Sequence, residues 1–254
     1  MNNFDFTDEQ NIGKDYNGFI LLKIYDIPKE NCKAVFLRHK TTGLEVYHVL
    51  KDDKENLFGF NFRTPVKNSK GIPHILEHST LCGSEKFPLK EPFNTLDNQS
   101  VKTYLNALTS PDKTYYPAAS MVKSDYFNLF DVYADAVFFP NLTEETFSQE
   151  GHRLELDENG KLSIQGVVYN EMKGDYSNFD SVVISAVYNS MFLDSIYSHD
   201  SGGDPLEIPN LTYKEFTDYH KEYYKPSNCL LFLWGNIPTS TQLDFFNEKY
   251  IYTD

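Results

Sequence analysis

The chain has 254 residues, 40% of them hydrophobic, with 20 Phe and 18 Tyr, so it can bury a sizeable core and is not a disordered sequence. A formal net charge of −14 argues against a nucleic-acid surface, which needs clustered Lys and Arg. Three widely spaced cysteines, Cys32, Cys82 and Cys229, form no C-x-x-C pair and point to neither a disulfide framework nor a thiolate zinc site.

No basic segment followed by an apolar one opens the chain, and no apolar run reaches membrane-spanning length, so a cytoplasmic protein with no membrane partner is expected. Residues 18–64 read as strands. Segments 19–25, 34–39 and 44–50 are rich in β-branched and aromatic residues, and Thr41-Thr42-Gly43 supplies a turn between the last two. Phe58, Phe60 and Phe62 alternate with Gly59, Asn61 and Arg63, the pattern of a strand with one buried face. A loop at 66–71 leads to Pro73, a good opening residue for a helix that stops near Cys82-Gly83.

That helix carries His74, Glu77 and His78 in the order H-x-x-E-H. Histidines four apart lie one above the other on a helix and can grip one metal ion from the same side. The intervening carboxylate sits beside that face, the arrangement of a zinc hydrolase in which a carboxylate takes the proton of a metal-activated water. Zinc in such sites takes three protein ligands and a water, so a third ligand is needed.

Beyond a Pro- and Lys-rich loop at 87–92, segments 103–109 and 114–118 read as strands. Ser124 is expected to cap a helix reaching Phe138, which Pro140 stops. Thr143, followed by Glu144 and Glu145, opens another helix. Segments 154–156 and 162–164 bracket Glu158-Asn159-Gly160, a hairpin signal. Helical segments follow at about 167–176 and 180–196, then a Gly-, Asp- and Pro-rich loop at 198–209. Thr212 and Glu215 form a capping box for a helix to Tyr224; 228–235 is a buried-type strand and 241–250 a last helix. The order predicts one α+β domain, residues 1–254, with a largely antiparallel sheet and helices packed on it.

Glutamates are plentiful, and spacing alone does not select the third ligand. Glu171 is a candidate because it stands in a mostly apolar helix start, where a carboxylate needs a partner. It could equally be a helix N-terminal Glu that complements the dipole. Cys82, one turn after His78, reads as a small residue at the helix end, and His39, His48, His199 and His220 show no metal spacing. Among Glu150, His152 and Glu155, one could orient a zinc histidine, with nothing to choose between them.

Gly71-Ile72-Pro73-His74-Ile75-Leu76-Glu77-His78, with Leu81-Cys82-Gly83-Ser84, resembles the pitrilysin-type metallopeptidases, and within them the presequence-protease and falcilysin branch. Further matches are Tyr104-Leu105-Asn106-Ala107, Asp112-Lys113-Thr114-Tyr115-Tyr116-Pro117, Gln149-Glu150-Gly151, residues 166–174 and Ser201-Gly202-Gly203-Asp204-Pro205. The resemblance implies a pitrilysin/LuxS-like metalloenzyme domain with one zinc ion held by His74, His78 and Glu171. It implies Glu77 as the base, and a peptide substrate added as a strand along Leu105, Asn106 and Ala107. It covers only the first domain of a longer family architecture, so the expected partners are the remaining domains of the same protein. The alternative is a domain that binds zinc and peptide but is catalytically incomplete alone. A sulfur-ribosyl lyase also uses H-x-x-E-H, but with iron and a distant cysteine ligand that Cys82 and Cys229 do not match.

Overall fold

The computed structural model describes residues 4–90, 92–156 and 158–251. Its strands in chain order are β1 (Asp15–Tyr16), β2 (Phe19–Ile27), β3 (Cys32–His39), β4 (Glu45–Leu50), β5 (Asn56–Arg63), β6 (Lys102–Leu105), β7 (Leu108–Thr109), β8 (Lys113–Ser120), β9 (Arg153–Leu156), β10 (Leu162–Gln165) and β11 (Cys229–Gly235). Short turns make β1 to β4 an antiparallel meander. β11 then inserts between β4 and β5, parallel to the first and antiparallel to the second. The sheet runs β1-β2-β3-β4-β11-β5-β8-β6, with β7 also on β8, while β9 and β10 form a separate hairpin. β4 with β11 is the parallel pair, and the sheet is otherwise antiparallel, as expected for this α+β fold.

The helices are α1 (Ile72–Thr80), α2 (Pro92–Gln99), α3 (Lys123–Phe138), α4 (Glu144–Glu150), α5 (Val167–Asp175), α6 (Phe179–Met191), α7 (Tyr213–Tyr223) and α8 (Thr239–Phe246). The alternation along β5 turns Phe58, Phe60 and Phe62 into the core. The ring of Phe130 on α3 lies 4.9 Å from that of Phe58 and 5.3 Å from that of Phe60. Each buried Phe contributes roughly 1.5–3 kcal/mol, and this aromatic layer fixes α3 on the sheet.

Four expectations are corrected. Helix α3 is capped by Val122, whose side chain makes no capping bond, and Ser124 lies inside the first turn. Helix α6 stops at Met191, short of 196. The segment 103–109 is two strands, with Asn106 and Ala107 in the break between β6 and β7. Here the Asn106 side chain folds back to accept from the Ala107 N–H, a local bond that competes with the ladder. Finally, α2 stands where no element was expected. Its Phe93 and Leu96, one turn apart, pack against the core and anchor a segment of low helix propensity. Glu91, in the expected loop at 87–92, lies outside the described residues.

Candidate metal centre

Helix α1 buries one face and offers the other. Ile75, Leu76, Ser79 and Thr80 are buried, while His74, Glu77 and His78, at i, i+3 and i+4, share the opposite face. The His74 and His78 ring centroids are 5.0 Å apart. Glu171 on α5 reaches this pair from across the site: its Oε2 is 3.7 Å from His74 Nε2 and 3.7 Å from His78 Nε2. Gly166, just before α5, passes so close to Gly151 that a Cβ on it would lie 2.1 Å from the Gly151 oxygen. That approach sets α5, which carries Glu171, against the end of α4, which carries Glu150.

The donor atoms of His74, His78 and Glu171 lie within 4.8 Å of one another. Ligands on a four-coordinate zinc with bonds of about 2.0–2.2 Å are separated by about 3.4 Å, close to the 3.7 Å from Glu171 Oε2 to each histidine Nε2. The chemistry of the donors fits as well. His74 Nδ1 lies 3.1 Å from the Gly202 carbonyl, which can only accept, so Nδ1 is the donor there and Nε2 is the nitrogen left to offer its lone pair to a cation. Facing a carboxylate oxygen at 3.7 Å, that lone pair leaves a converging set of acceptors that a cation would satisfy.

His78 Nδ1 faces Glu150 Oε2 at 3.5 Å, and the Glu150 side chain is only 7% exposed. Of the three candidates for orienting a zinc histidine, the structure places Glu150 there. His152 Nε2 instead bonds the Leu211 carbonyl at 2.9 Å, and Glu155 pairs with Arg153. Burial alone would lower the His78 pKa, but the bond to Glu150 and the charges of Glu77, Glu171 and Glu150 raise it above the ordinary value. Burial likewise pushes Glu150 up, and its bonds with His78 and Gln149 reverse the shift, leaving its carboxyl below the usual range. Cys82 Sγ lies 3.4 Å from the His78 carbonyl and is not in the donor group.

Glu77 stands outside the donor group too; its Oε2 accepts from the Thr109 hydroxyl at 2.5 Å. Thr109 ends β7, a contact with no signal in the sequence. A cleft of about 400 Å³ joins Glu77 and His78 to Asn106, Ala107, Phe93 and Val167. The Leu105 end of β6 and the Asn106-Ala107 break thus lie at the sheet edge, next to the histidine face.

The profile of the insulinase family (peptidase family M16) matches residues 63–176, and that of the M16 inactive domain matches 210–251. The chain is 48% identical to Protein HypA of Clostridium perfringens over 93% of this chain and 25% of that one. It is 44% identical to the mitochondrial presequence protease of Drosophila melanogaster, over 94% of this chain and 24% of the relative. It is 50% identical to presequence protease 1, chloroplastic/mitochondrial, of Arabidopsis thaliana, over 80% and 19%. The chain therefore spans about a quarter of the length of these relatives or less. In fold it is similar to pitrilysin, with a TM-score of 0.71 at 18% identity over 91% of this chain and 24% of that one. A protease from Helicobacter pylori gives 0.70 at 20% identity, over 84% and 48%. No helix among the described residues is long and apolar enough to cross a membrane. The names of the Drosophila and Arabidopsis relatives place those proteins in organelles, which lends no support to a cytoplasmic location for this chain. With its fold, its match to the M16 profile and its likeness to presequence proteases, the chain belongs to the M16 (insulinase) peptidase family.

Proposed function

We propose that residues 1–254 form the zinc-dependent catalytic domain of an endopeptidase that degrades short unstructured peptides. His74, His78 and Glu171 hold one zinc ion, and Glu77 is the base. The observation that carries this reading is the convergence of His74 Nε2, His78 Nε2 and Glu171 Oε2, with Glu77 on the same helix face but outside the set. When bound, zinc supplies Lewis acidity that polarises a carbonyl and lowers the pKa of water to about 7. Glu77 takes the proton of the attacking water and returns it to the leaving amine. Thr109 holds Glu77 Oε2, which leaves the other oxygen free for that exchange. Glu150 holds His78 by its far nitrogen, so that Nε2 points at the site. An extended peptide adds to the sheet edge at Leu105, Asn106 and Ala107, whose far side carries no strand among the described residues.

Further domains of a longer chain complete the enzyme. The length of the relatives supports this, and so does α6, none of whose side chains is buried; Phe179 is 78% and Met191 70% exposed. Apolar surface on that scale marks a face that something covers.

Metal analysis of the purified protein beside Glu171→Gln tests the reading. About one zinc per wild-type chain is expected, with weakened binding in the variant. Undiminished occupancy and affinity in Glu171→Gln would remove Glu171 as a ligand.

A further inference from the structure

The segment Ser201-Gly202-Gly203-Asp204-Pro205 has no place in the chemistry above, yet it lies against the metal-site helices. Its Gly202 carbonyl accepts from His74 Nδ1 at 3.1 Å, across 128 residues of sequence. We propose that residues 200–204 are a positioning loop for His74: the Gly202 carbonyl fixes the tautomer and direction of the ring, so that Nε2 is presented ready for the metal. The inference rests on the zinc reading of the site.

A carbonyl positions a ring only if it is itself held, and this one is held from several sides. The Asp200 N–H donates to Ser69 Oγ at 3.1 Å and the Asp204 N–H to the Ser69 carbonyl at 2.8 Å, tying both ends of the loop to the lead-in of α1. Within the loop, the Gly202 N–H donates to Asp200 Oδ1 at 2.8 Å, and Tyr176 OH donates to Asp200 Oδ2 at 2.7 Å. Asp200 therefore braces the peptide unit preceding Gly202 and anchors it to the residue that follows α5. Backbone packs on backbone at the other end. Gly203 has φ +105°, and a Cβ on it would fall 2.9 Å from Gly71 Cα and 2.8 Å from Ile208 Cγ1. Gly71 is the N-cap of α1, three residues before His74. The glycine at 203 thus lets the loop rest on the start of the helix whose first histidine it orients. Met172, beside Glu171, touches the loop as well: a Cβ on Gly202 would meet its Sδ and Cε at 2.8 Å. The loop bears on both helices that carry the donors.

The complementary roles are clear from the partner atoms. His78 is oriented by a carboxylate, Glu150, and His74 by this neutral carbonyl. The use of one charged and one neutral acceptor limits the negative charge gathered at the site. Removing an orienting partner of a metal-binding histidine typically weakens the metal by about 10- to 100-fold.

The test compares wild type, Asp200→Ala, Asp200→Asn and Gly203→Ala, using the same chain and zinc itself as probe. Circular dichroism and thermal melting report folding, chelator competition reports the zinc Kd, and long-range nitrogen–proton NMR of the metal-free protein reports the His74 tautomer. Asp200→Ala is expected to fold, to lose the single Nδ1–H tautomer of His74 and to weaken zinc by about tenfold or more. Asp200→Asn, which keeps an acceptor for the Gly202 N–H, is expected to restore both. A Gly203→Ala variant that folds should behave like Asp200→Ala; if it does not fold, the Asp200 pair decides alone. A folded Asp200→Ala with unchanged tautomer and unchanged Kd overturns the loop's role while leaving the zinc site standing. A wild type that shows the Nδ1–H tautomer but takes up no zinc overturns the zinc reading instead, and the claim on affinity with it.

Discussion

Replacing Glu150 with Leu removes the carboxylate that faces His78 Nδ1 and leaves Nε2, which faces Glu171, untouched. The Glu150 side chain is 7% exposed and that of His78 27%, so water replaces the lost acceptor poorly. The ring then loses both its preferred tautomer and its fixed direction. The expected cost is about 10- to 100-fold in zinc affinity, or about 1.4–2.8 kcal/mol. Glu150→Gln is expected to fall nearer the tenfold end, for a geometric reason. Glu150 now meets two donors, Gln149 Nε2 at 2.9 Å and His78 Nδ1, and an amide has one oxygen where the carboxylate has two. The assay is chelator competition at neutral pH, with urea unfolding of each metal-free protein to show that the fold survives. A folded Leu variant with wild-type zinc affinity would refute the reasoning, because it would show that the ring is held in place without Glu150.

Glu77→Gln should keep zinc, since Glu77 is outside the donor group, and should lower hydrolysis by the full-length enzyme by about 10²- to 10⁴-fold; loss of the metal instead would reassign Glu77 as a ligand. If further domains complete the site as proposed, this chain alone should cleave a quenched fluorescent peptide poorly, by about 10²- to 10³-fold for each oxyanion donor that those domains supply, and should gain activity when they are added in trans; equal turnover with and without them would show that the domain is self-sufficient. Burial pushes His48 and His220 down to about 4, so both are neutral in the fold at pH values where the unfolded chain is protonated. Their contribution is therefore present above about pH 6.5 and lost as pH falls toward 4, on the order of 3 kcal/mol for each, read from urea midpoints across that range. His48→Asn should flatten this slope, and an unaltered slope would locate the titration elsewhere.

What the sequence determined by itself is local. The i, i+4 spacing of His74 and His78 puts both rings on one face because a helix turns every 3.6 residues, and that holds wherever the helix packs. The alternation of Phe58, Phe60 and Phe62 set the buried face of β5, and the Thr212/Glu215 box set the start of α7, for equally local reasons. The α+β class followed from the order of such elements. Spacing could not choose Glu171 from the other glutamates, nor Glu150 from His152 and Glu155, because each choice depends on how α4 and α5 cross α1. Thr109 and Gly202 were beyond reach for the same reason. They meet Glu77 and His74 across 32 and 128 residues, and the Gly202 contact is made by a backbone oxygen that every residue possesses. Only the packing of β7 and of the 200–204 loop against α1 gives those common groups a partner.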